Sequence, residues 1–373
     1  MLNKIIFFVL ILFSSSYSFG FVENVTKGYP NCMACHVSAS GGGVLNDYGR
    51  SLSKELMSTW TLFSHFEDPY YGLAKNTPNI KFGGQHRVIQ IHGENDQVKL
   101  KRQFTMQNNV EFAIQYAQAF VVATLGTKEG PDNTPDKRKF LSERHYIQWA
   151  AAPDVQVRVG KFRQNFGINH PNHSRFTKSS TGFGSYSESY NLDLTKFFEW
   201  GEINVSSSVG NMWTNKNEDD EKRNLAVNLT HYMGGNSRVG ISLLKGESKS
   251  YIRDLFSAHA VFPLFKNIVG RSEIVYENKA NKTGDSLTPK TKALYGDHQY
   301  GYKLFKGFMP YLVFEHSQNN LENSDTLILA PGTGFQFLPI PHVELRAEFQ
   351  KRKYMNDPNN LEDRLSFQMH LYH

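Results

Sequence analysis

The sequence predicts an all-β chain whose body is a transmembrane, antiparallel β-barrel of about 16 strands, preceded by a small helical segment. Three observations lead to this fold class. The composition combines 28 Phe and 18 Tyr with only 39% hydrophobic residues. Hydrophobicity alternates residue by residue from position 79 onward, and short turns alternate with longer polar loops. These features are typical of a β-barrel wall that faces lipid on its outer side and water on its inner side.

The first residues have the layout of a secretory signal peptide. Lys4 supplies a positive charge, residues 5–13 form an apolar run, and Ser18-Phe19-Gly20 places small residues where a signal peptidase cuts. The apolar run is too short to span a bilayer as a helix. We therefore expect residues 1–20 to be a signal peptide and the rest to be exported, with a retained membrane anchor as the alternative interpretation.

Composition and charge exclude two other classes of protein. After the signal peptide, no stretch reaches about 18 consecutive apolar residues, which excludes a helical membrane protein. The net charge of +6 is spread along the chain without a block of Lys or Arg. Nothing in this charge pattern indicates a nucleic-acid partner.

The two cysteines of the chain lie in one motif, Cys32-Met33-Ala34-Cys35-His36. An exported protein stabilised by disulfides would spread several pairs along its length. The motif resembles instead the attachment site of c-type cytochromes, and this resemblance covers these five residues only. It implies one covalent haem c, held by Cys32 and Cys35, with His36 as a ligand of the haem iron.

Two other interpretations of the cysteine pair fit the sequence less well. A dithiol redox site of the thioredoxin type needs a βαβ context, which the flanking Tyr-Pro-Asn and glycine-rich runs do not provide. A structural zinc site needs further ligands, and the sequence has no second cysteine cluster. We therefore predict haem attachment.

The second axial ligand of the haem iron stays open at this point. Apolar side chains recur at helical spacing at Leu45, Tyr48, Leu52, Leu56, Trp60 and Phe63, which predicts a helix over 45–66. Met57 and His65 lie on this stretch and are two candidate ligands. A barrel histidine such as His86 is a third candidate, and an open position is a fourth. Met57 packed in the helix face and His65 in solvent is the alternative without a ligand role.

We divide the exported chain into a haem segment, residues 21–76, and a barrel, residues 77–373. The haem segment is too short to bury much of a core by itself. We therefore expect it to depend on the haem, on the barrel or on both, and to lie on the periplasmic side or in the barrel lumen.

Period-two alternation marks the strands of the barrel. It is clear in residues 155–159, 343–350 and 364–371. We predict strands near residues 80–92, 98–112, 116–126, 139–150, 155–165, 189–199, 202–213, 223–232, 237–247, 251–261, 267–278, 291–304, 309–318, 325–338, 342–354 and 362–372. Most of them reach the roughly 9–11 residues that a tilted strand needs to cross a bilayer.

The connections support the same strand count. Tight turns are predicted at 152–154, 200–202, 234–237, 306–308 and 340–342, and longer loops at 127–138, 166–188, 214–222, 279–290, 319–324 and 355–361. Outer-membrane barrels have short periplasmic turns and longer outer loops. An even strand number then places both chain ends in the periplasm.

From about residue 98 onward the chain resembles bacterial outer-membrane porins, particularly the phosphate-selective type. Residues 144–149 and 157–167 look like the hairpin that precedes the third outer loop of those porins. The resemblance implies sixteen strands and a third loop folded into the pore, and the loop at 166–188 is the longest here. The final strand is similar to the barrel-assembly signal, although His373 stands where a terminal aromatic residue is usual.

Charged residues suggest what the pore prefers. The loop at 166–188 contains His170, His173, Arg175 and Lys178, which indicates either a cationic pore constriction or a solvated surface loop. The positive residues predicted to face water on the strands are Lys99, Lys101, Arg158, Arg346 and Arg364, with Glu344 and Glu348 among them. They indicate a mild anion preference. The acidic run at 217–221 indicates a solvated loop or a divalent-cation site.

These features predict a porin-like barrel with one covalent haem, in the outer membrane of a Gram-negative-type bacterium, that takes part in electron transfer and is not an enzyme. Expected partners are outer-membrane lipid, a periplasmic or surface redox protein, and small solutes in the pore. One alternative is a solute-selective porin whose haem segment acts as a plug or gate. The other is a peroxidase-like enzyme, although dihaem peroxidases carry two attachment motifs and this chain carries one.

Overall fold

The structure is a computed structural model that describes residues 22–62, 65, 67–95, 99–128, 139–184, 187–210, 223–284 and 286–373. The predicted signal peptide, most of the loop at 127–138, the loop at 214–222 with its acidic run, and Phe63 lie outside the described residues. Within the described part of the chain, no helix is long and apolar enough to cross a membrane.

The described strands form one antiparallel sheet that closes on itself. In chain order they are β1 (Ile80–Glu94), β2 (Lys99–Tyr116), β3 (Ala119–Lys128), β4 (Lys139–Ala152), β5 (Val155–Phe162), β6 (Ser189–Phe198), β7 (Gly201–Gly210), β8 (Arg223–Met233), β9 (Ser237–Glu247), β10 (Tyr251–Phe265), β11 (Ile268–Thr283), β12 (Ser286–Leu287), β13 (Thr291–Tyr302), β14 (Phe308–Gln318), β15 (Leu327–Phe337), β16 (Val343–Tyr354) and β17 (Asp357–Tyr372). The short β12 pairs only with the end of β11. Closure occurs because β1 pairs with both β2 and β17.

The prediction of a sixteen-stranded antiparallel barrel is confirmed. Each barrel strand corresponds to one of the predicted strands, and the division between the second and third strands falls at Ala117 and Gln118. The last strand shows why alternation identified the wall. Leu365, Phe367 and Met369 are nearly half exposed on the outer face, whereas His370 on the other face is 5% exposed.

The first hairpin departs from the predicted register. The pairing of β1 with β2 shifts between Arg87 and Val88, so that Met106 is an extra residue in β2. Such a bulge reverses which residues face inward. Phe104 and Met106 consequently line the lumen rather than the lipid.

The prediction that Lys99 and Lys101 face the water-filled lumen is therefore wrong. Phe104 pairs with Ile89, and both side chains line the inner cavity. Lys99 and Lys101 occupy the alternate positions of β2 and lie on the opposite, outer face, where both are exposed. Ile89 and Phe104 thus form an apolar patch on the inner wall, next to the polar residues Ser366 and Gln368 of β17.

Residues 22–76 contain only short helices within their described part. They are three 3₁₀ helices (Val22–Lys27, Cys32–Ala34 and Pro69–Gly72) and α1 (Asp47–Leu52), which continues as one π-helical stretch, Ser53–Met57. The prediction of a helix over 45–66 is wrong beyond Met57. The backbone N–H groups of Thr59 and Trp60 instead donate to the carbonyl oxygens of Leu338 and Pro339, at 3.0 and 2.8 Å. These tertiary bonds replace the helical ones.

The N-terminal residues contact side chains on the inner face of the wall. Gln148 Nε2 donates to the Val37 carbonyl oxygen at 2.8 Å. Val25 packs against Val261 of β10 and Ile168 of the third loop. The described part of this segment therefore lies inside the barrel and contacts the inner face of several strands.

The third loop, residues 163–188, folds into the lumen, where its described residues contact β11, β14 and β16. Arg175 Nη2 donates to Glu348 Oε2 at 2.6 Å, and Lys178 Nζ donates to Glu273 Oε1 at 2.9 Å. Both cations are buried and lie on or beside α2 (Phe176–Ser179). The interpretation as a solvated surface loop is wrong, since lumenal carboxylates hold the loop inside the barrel. The same ion pairs neutralise the predicted cationic rim.

Candidate functional site

The Cys32–His36 motif forms a tight turn. The N–H groups of Cys35 and His36 both donate to the carbonyl oxygen of Cys32, at 3.2 and 3.0 Å. The Asn31 side chain caps the turn by accepting from the N–H of Ala34 at 3.2 Å. These local bonds bring both cysteines and the histidine close together without help from distant residues.

Asn46 fastens the turn to α1. Its side-chain amide donates to the carbonyl oxygens of Met33 and Ala34, at 3.1 and 3.2 Å. Its carbonyl oxygen Oδ1 accepts from the N–H of Gly49 at 2.7 Å and caps the helix. One asparagine therefore fixes the orientation of the motif relative to the helix.

Two glycines let the chain close over the motif. At Gly41, where φ is +77°, a Cβ atom would lie 3.1 Å from Cys32 Sγ. At Gly49, a Cβ atom would overlap the carbonyl oxygen of Cys35. Larger side chains at either position would push the following chain away from the cysteines.

The titratable groups of the motif are neutral at ordinary pH. Burial raises the pKa of both thiols, that of Cys35 to about 12. Burial lowers the pKa of His36 to about 4. Neutral imidazole is the form that binds a metal ion. The Nδ1 atom of His36 is buried and has no hydrogen-bond partner among the described residues.

The motif opens on a lumenal cavity of about 690 Å³, which is within the size range of ligand sites. Cys32, Cys35 and His36 form part of its lining. An apolar part of the wall consists of Ile89, Ile91, Phe104 and Met106. Arginines contribute at positions 87, 144, 158, 163, 238, 346 and 364. The cavity thus combines apolar surface with positive charge, which suits an amphiphilic anion.

The positive charge of the lumen is less than the sequence indicated. Arg158 and Arg346 face inward as predicted, and so does Arg364. However, Arg158 Nη2 lies 3.4 Å from Asp193 Oδ1, and Arg346 Nη2 lies 3.2 Å from Glu344 Oε1. The predicted anion preference therefore depends on cations that are already partly balanced by wall carboxylates.

The structure brings only one of the local candidates for second axial ligand to this cavity. Met57 lines it and packs against Leu338. His65 lies elsewhere, with its side chain 71% exposed and its Nδ1 atom 3.9 Å from Asp68. His86 lies outside the cavity lining as well, where its Nε2 atom is 3.2 Å from the Tyr70 hydroxyl.

Sequence reasoning did not identify three cavity histidines with ligand chemistry, His259, His373 and His370, and only the last of these contacts a carboxylate of the described residues within hydrogen-bond distance. The His370 imidazole lines the cavity and is hydrogen-bonded to Glu344 of the neighbouring strand. Both Glu344 and His370 are at positions that the alternation pattern predicts to face water. The pattern could therefore have identified them as inward-facing, but it does not show which inward residues of adjacent strands lie opposite each other.

The residues present fit a covalent haem. Cys32 and Cys35 are free thiols, as required for thioether formation. His36 beside them has a buried nitrogen without a partner among the described residues. The adjacent cavity offers an apolar wall for a macrocycle and guanidinium groups for its carboxylates.

The closed sixteen-stranded wall with an inward third loop defines a porin-type outer-membrane channel fold. Solved structures of three such proteins are similar to this chain. A loop-deletion mutant of OmpT, an outer-membrane protein of Vibrio cholerae, has a TM-score of 0.61 at 9% identity and covers 79% of this chain and 99% of its own. The outer-membrane channel DcaP of Acinetobacter baumannii has a TM-score of 0.58 at 14% identity and covers 79% and 97%.

The third structure is an anion-selective porin from Comamonas acidovorans, with a TM-score of 0.58 at 8% identity, covering 79% of this chain and 99% of its own. At these identities the likeness shows the fold alone. No protein-family model matches the sequence. No curated protein matches it either.

Proposed function

We propose that this chain is an outer-membrane, porin-like barrel that carries one covalent haem c in its lumen and takes part in electron transfer at the outer membrane. The observation that carries the proposal is a single cavity lined by Cys32, Cys35 and His36 together with the apolar wall residues Ile89 and Phe104. Porin interiors are polar, so an apolar patch in the same cavity as two free thiols is not expected of a channel that only passes solutes.

The residues of the chain have separate roles in this proposal. Cys32 and Cys35 hold the cofactor through their sulfur atoms, and His36 is oriented by the turn that begins at Cys32. Ile89 and Phe104 exclude water from one side of the cavity. When bound, the haem supplies a one-electron redox centre whose potential is set by axial ligands and burial.

A single haem needs a partner for electrons to cross the membrane. The hydrocarbon layer is roughly 30 Å thick, and electron tunnelling decays steeply with distance. One cofactor in the lumen therefore exchanges electrons with a periplasmic or surface redox protein, or with a soluble carrier that enters the barrel. Outer-membrane lipid surrounds the barrel itself.

A plug or gate for a solute channel is the second candidate function. It is favoured by the contacts that residues 22–62 make across the lumen. Asn169 of the third loop donates to the carbonyl oxygen of Ser40 at 2.6 Å. Segment and loop thus meet inside the barrel, where together they would narrow any passage.

Covalent haem content tests the leading proposal. The full-length protein is produced in a host competent in cytochrome c maturation, extracted in detergent and treated with acid–acetone. We expect about one haem per chain to remain bound, as for other c-type sites, and Cys35→Ala to lower this covalent stoichiometry. A colourless wild-type protein from such a host would contradict the proposal.

A further inference from the structure

A histidine and a glutamate on the last two strands form a buried pair in the lumen. His370 of β17 lies directly opposite Glu344 of β16 in the antiparallel register. The His370 Nδ1 atom is 3.1 Å from Glu344 Oε2. The two residues are 5% and 1% exposed. The pair is therefore shielded from bulk water.

Glu344 is itself held in place by its neighbours. Gln336 Nε2 donates to Glu344 Oε1 at 2.7 Å, and Arg346 Nη2 lies 3.2 Å from the same oxygen. The second oxygen, Oε2, is left to accept from His370 Nδ1. A carboxylate at Nδ1 fixes the proton of a neutral imidazole on that nitrogen and leaves the lone pair on Nε2.

The other nitrogen of His370 is available as a ligand. His370 Nε2 is buried and has no hydrogen-bond partner among the described residues. The residue lines the same cavity as Cys35 and His36. A histidine with one nitrogen on a carboxylate and the other free has the arrangement that metal-binding histidines usually show.

We propose that His370 would be the second protein ligand of a haem iron held by His36, and that Glu344 is its positioning residue. This inference rests on the proposed function, because it needs a haem attached at Cys32 and Cys35. In this proposal a residue of the barrel wall binds the cofactor directly.

Strand β17 contacts residues 22–62 directly. The Tyr372 hydroxyl, two positions beyond His370 on the same face, lies 3.1 Å from Ser53 Oγ of the π-helical stretch. Gly49, one turn earlier in that helix, packs against Cys35. His370 and the motif are thus linked through one tyrosine and one helix.

The competing side chains lack one or more of these features. Met57 is packed with Leu338 in an apolar cluster. His259 is buried with both ring nitrogens unpartnered among the described residues, so no carboxylate fixes its tautomer. His170 also has both ring nitrogens unpartnered among the described residues, and its nearest carboxylate oxygen, on Asp297, lies 3.7 Å from Nε2, beyond hydrogen-bond distance.

The experiment compares His370→Ala with the matched control His259→Ala in the full-length protein. Haem staining after denaturation gives covalent haem content, and heat-modifiable gel migration reports folding. Optical and electron paramagnetic resonance spectra give the spin state, and the reduced protein is exposed to carbon monoxide. We expect the wild type and His259→Ala to be low-spin and to resist carbon monoxide.

For His370→Ala we expect full covalent haem, a folded barrel, a high-spin iron that binds carbon monoxide, and recovery of the low-spin spectrum with added imidazole. A low-spin His370→Ala protein that resists carbon monoxide would overturn the assignment. A wild-type protein with high-spin iron would also overturn it. The same holds if the iron is high-spin in His259→Ala but keeps the wild-type spectrum in His370→Ala.

If His370→Ala does not fold, the variant Glu344→Gln tests the assignment through the midpoint potential of the haem. Loss of the carboxylate makes His370 a weaker electron donor, so the midpoint potential of the haem should rise. An unchanged potential would overturn the role of the pair. A wild-type protein without covalent haem is a different result, because it refutes the proposed function and the ligand assignment falls with it.

Discussion

The guanidinium of Arg158, on the inner face of β5, donates a hydrogen bond of 2.8 Å to the hydroxyl of Ser38, six residues after Cys32. A second bond of 2.9 Å reaches Ser40. The same guanidinium lies 3.4 Å from Asp193 on the adjacent strand. One wall residue therefore connects the glycine-rich stretch that follows the Cys32–His36 motif to the barrel.

Removing Arg158 should destabilise the protein and detach this stretch. Arg158→Ala leaves Asp193 buried without its ion pair, a change that costs about 3–5 kcal/mol of unfolding free energy in comparable cases. Denaturant unfolding of the detergent-extracted protein measures the loss. The double variant Arg158→Ala with Asp193→Asn should recover part of it, and a single variant as stable as the wild type would contradict the role given to the pair.

A methyl group at Gly49 should disturb the haem motif. Alanine normally stabilises a helix by about 1 kcal/mol relative to glycine, but here its Cβ would overlap the Cys35 carbonyl oxygen. We expect Gly49→Ala to lower both thermal stability and covalent haem content. Ser51→Ala in the same helix is the control and should leave both near wild-type values. Increased thermal stability of Gly49→Ala would show that the helix is not in tight steric contact with Cys35.

The stability of the N-terminal segment should rise with pH. Burial, followed by repulsion from Lys303, lowers the pKa of Lys27 from 10.5 to about 7. Between these two values the unfolded chain binds more protons at this lysine than the folded one, so raising the pH favours the folded state. The cost of burying the charged lysine is full below about pH 7 and is relieved toward pH 10.5.

Lys27→Met removes this pH dependence. Relative to the wild type, the variant should have the higher thermal midpoint at pH 7. The difference should shrink by pH 10, because the folded wild type then holds a neutral amine and deprotonating the unfolded chain close to its pKa of 10.5 costs little. Melting curves at the two pH values measure it. A difference that grows with pH would contradict the burial of Lys27 as a charged group.

Ion conductance distinguishes the two candidate functions of the segment. Residues 22–62 and the third loop meet at the bond between Asn169 and Ser40. We expect the full-length protein in planar bilayers to conduct poorly, and a variant lacking residues 21–76 to conduct more. Equal conductance of both proteins would show that the segment does not obstruct the lumen, which would refute the plug.

The barrel could be predicted from the sequence because the bilayer imposes a simple alternation on every strand. The run from Leu365 to Leu371 displays it directly, and its outer and inner faces are as predicted. The exception is β2, where the bulge at Met106 changes the phase. A bulge leaves little trace in a pattern of apolar and polar residues, so the predicted orientation of Lys99 and Lys101 is wrong.

The candidate site was predictable only where it is local. Cys32, Cys35 and His36 lie within five consecutive residues, and hydrogen bonds within the same stretch close their turn. The helix end at Met57 depends on backbone partners at 338 and 339, which helical periodicity cannot indicate. The pairing of Glu344 with His370 likewise depends on strand register.

The central claim is that one haem is covalently attached at Cys32 and Cys35, and intact-mass spectrometry of the denatured full-length protein tests it most directly. We predict a mass equal to the chain without its signal peptide plus one haem, and loss of that addition when both cysteines are replaced by alanine. A wild-type mass equal to the chain alone, from a host competent in cytochrome c maturation, would contradict it.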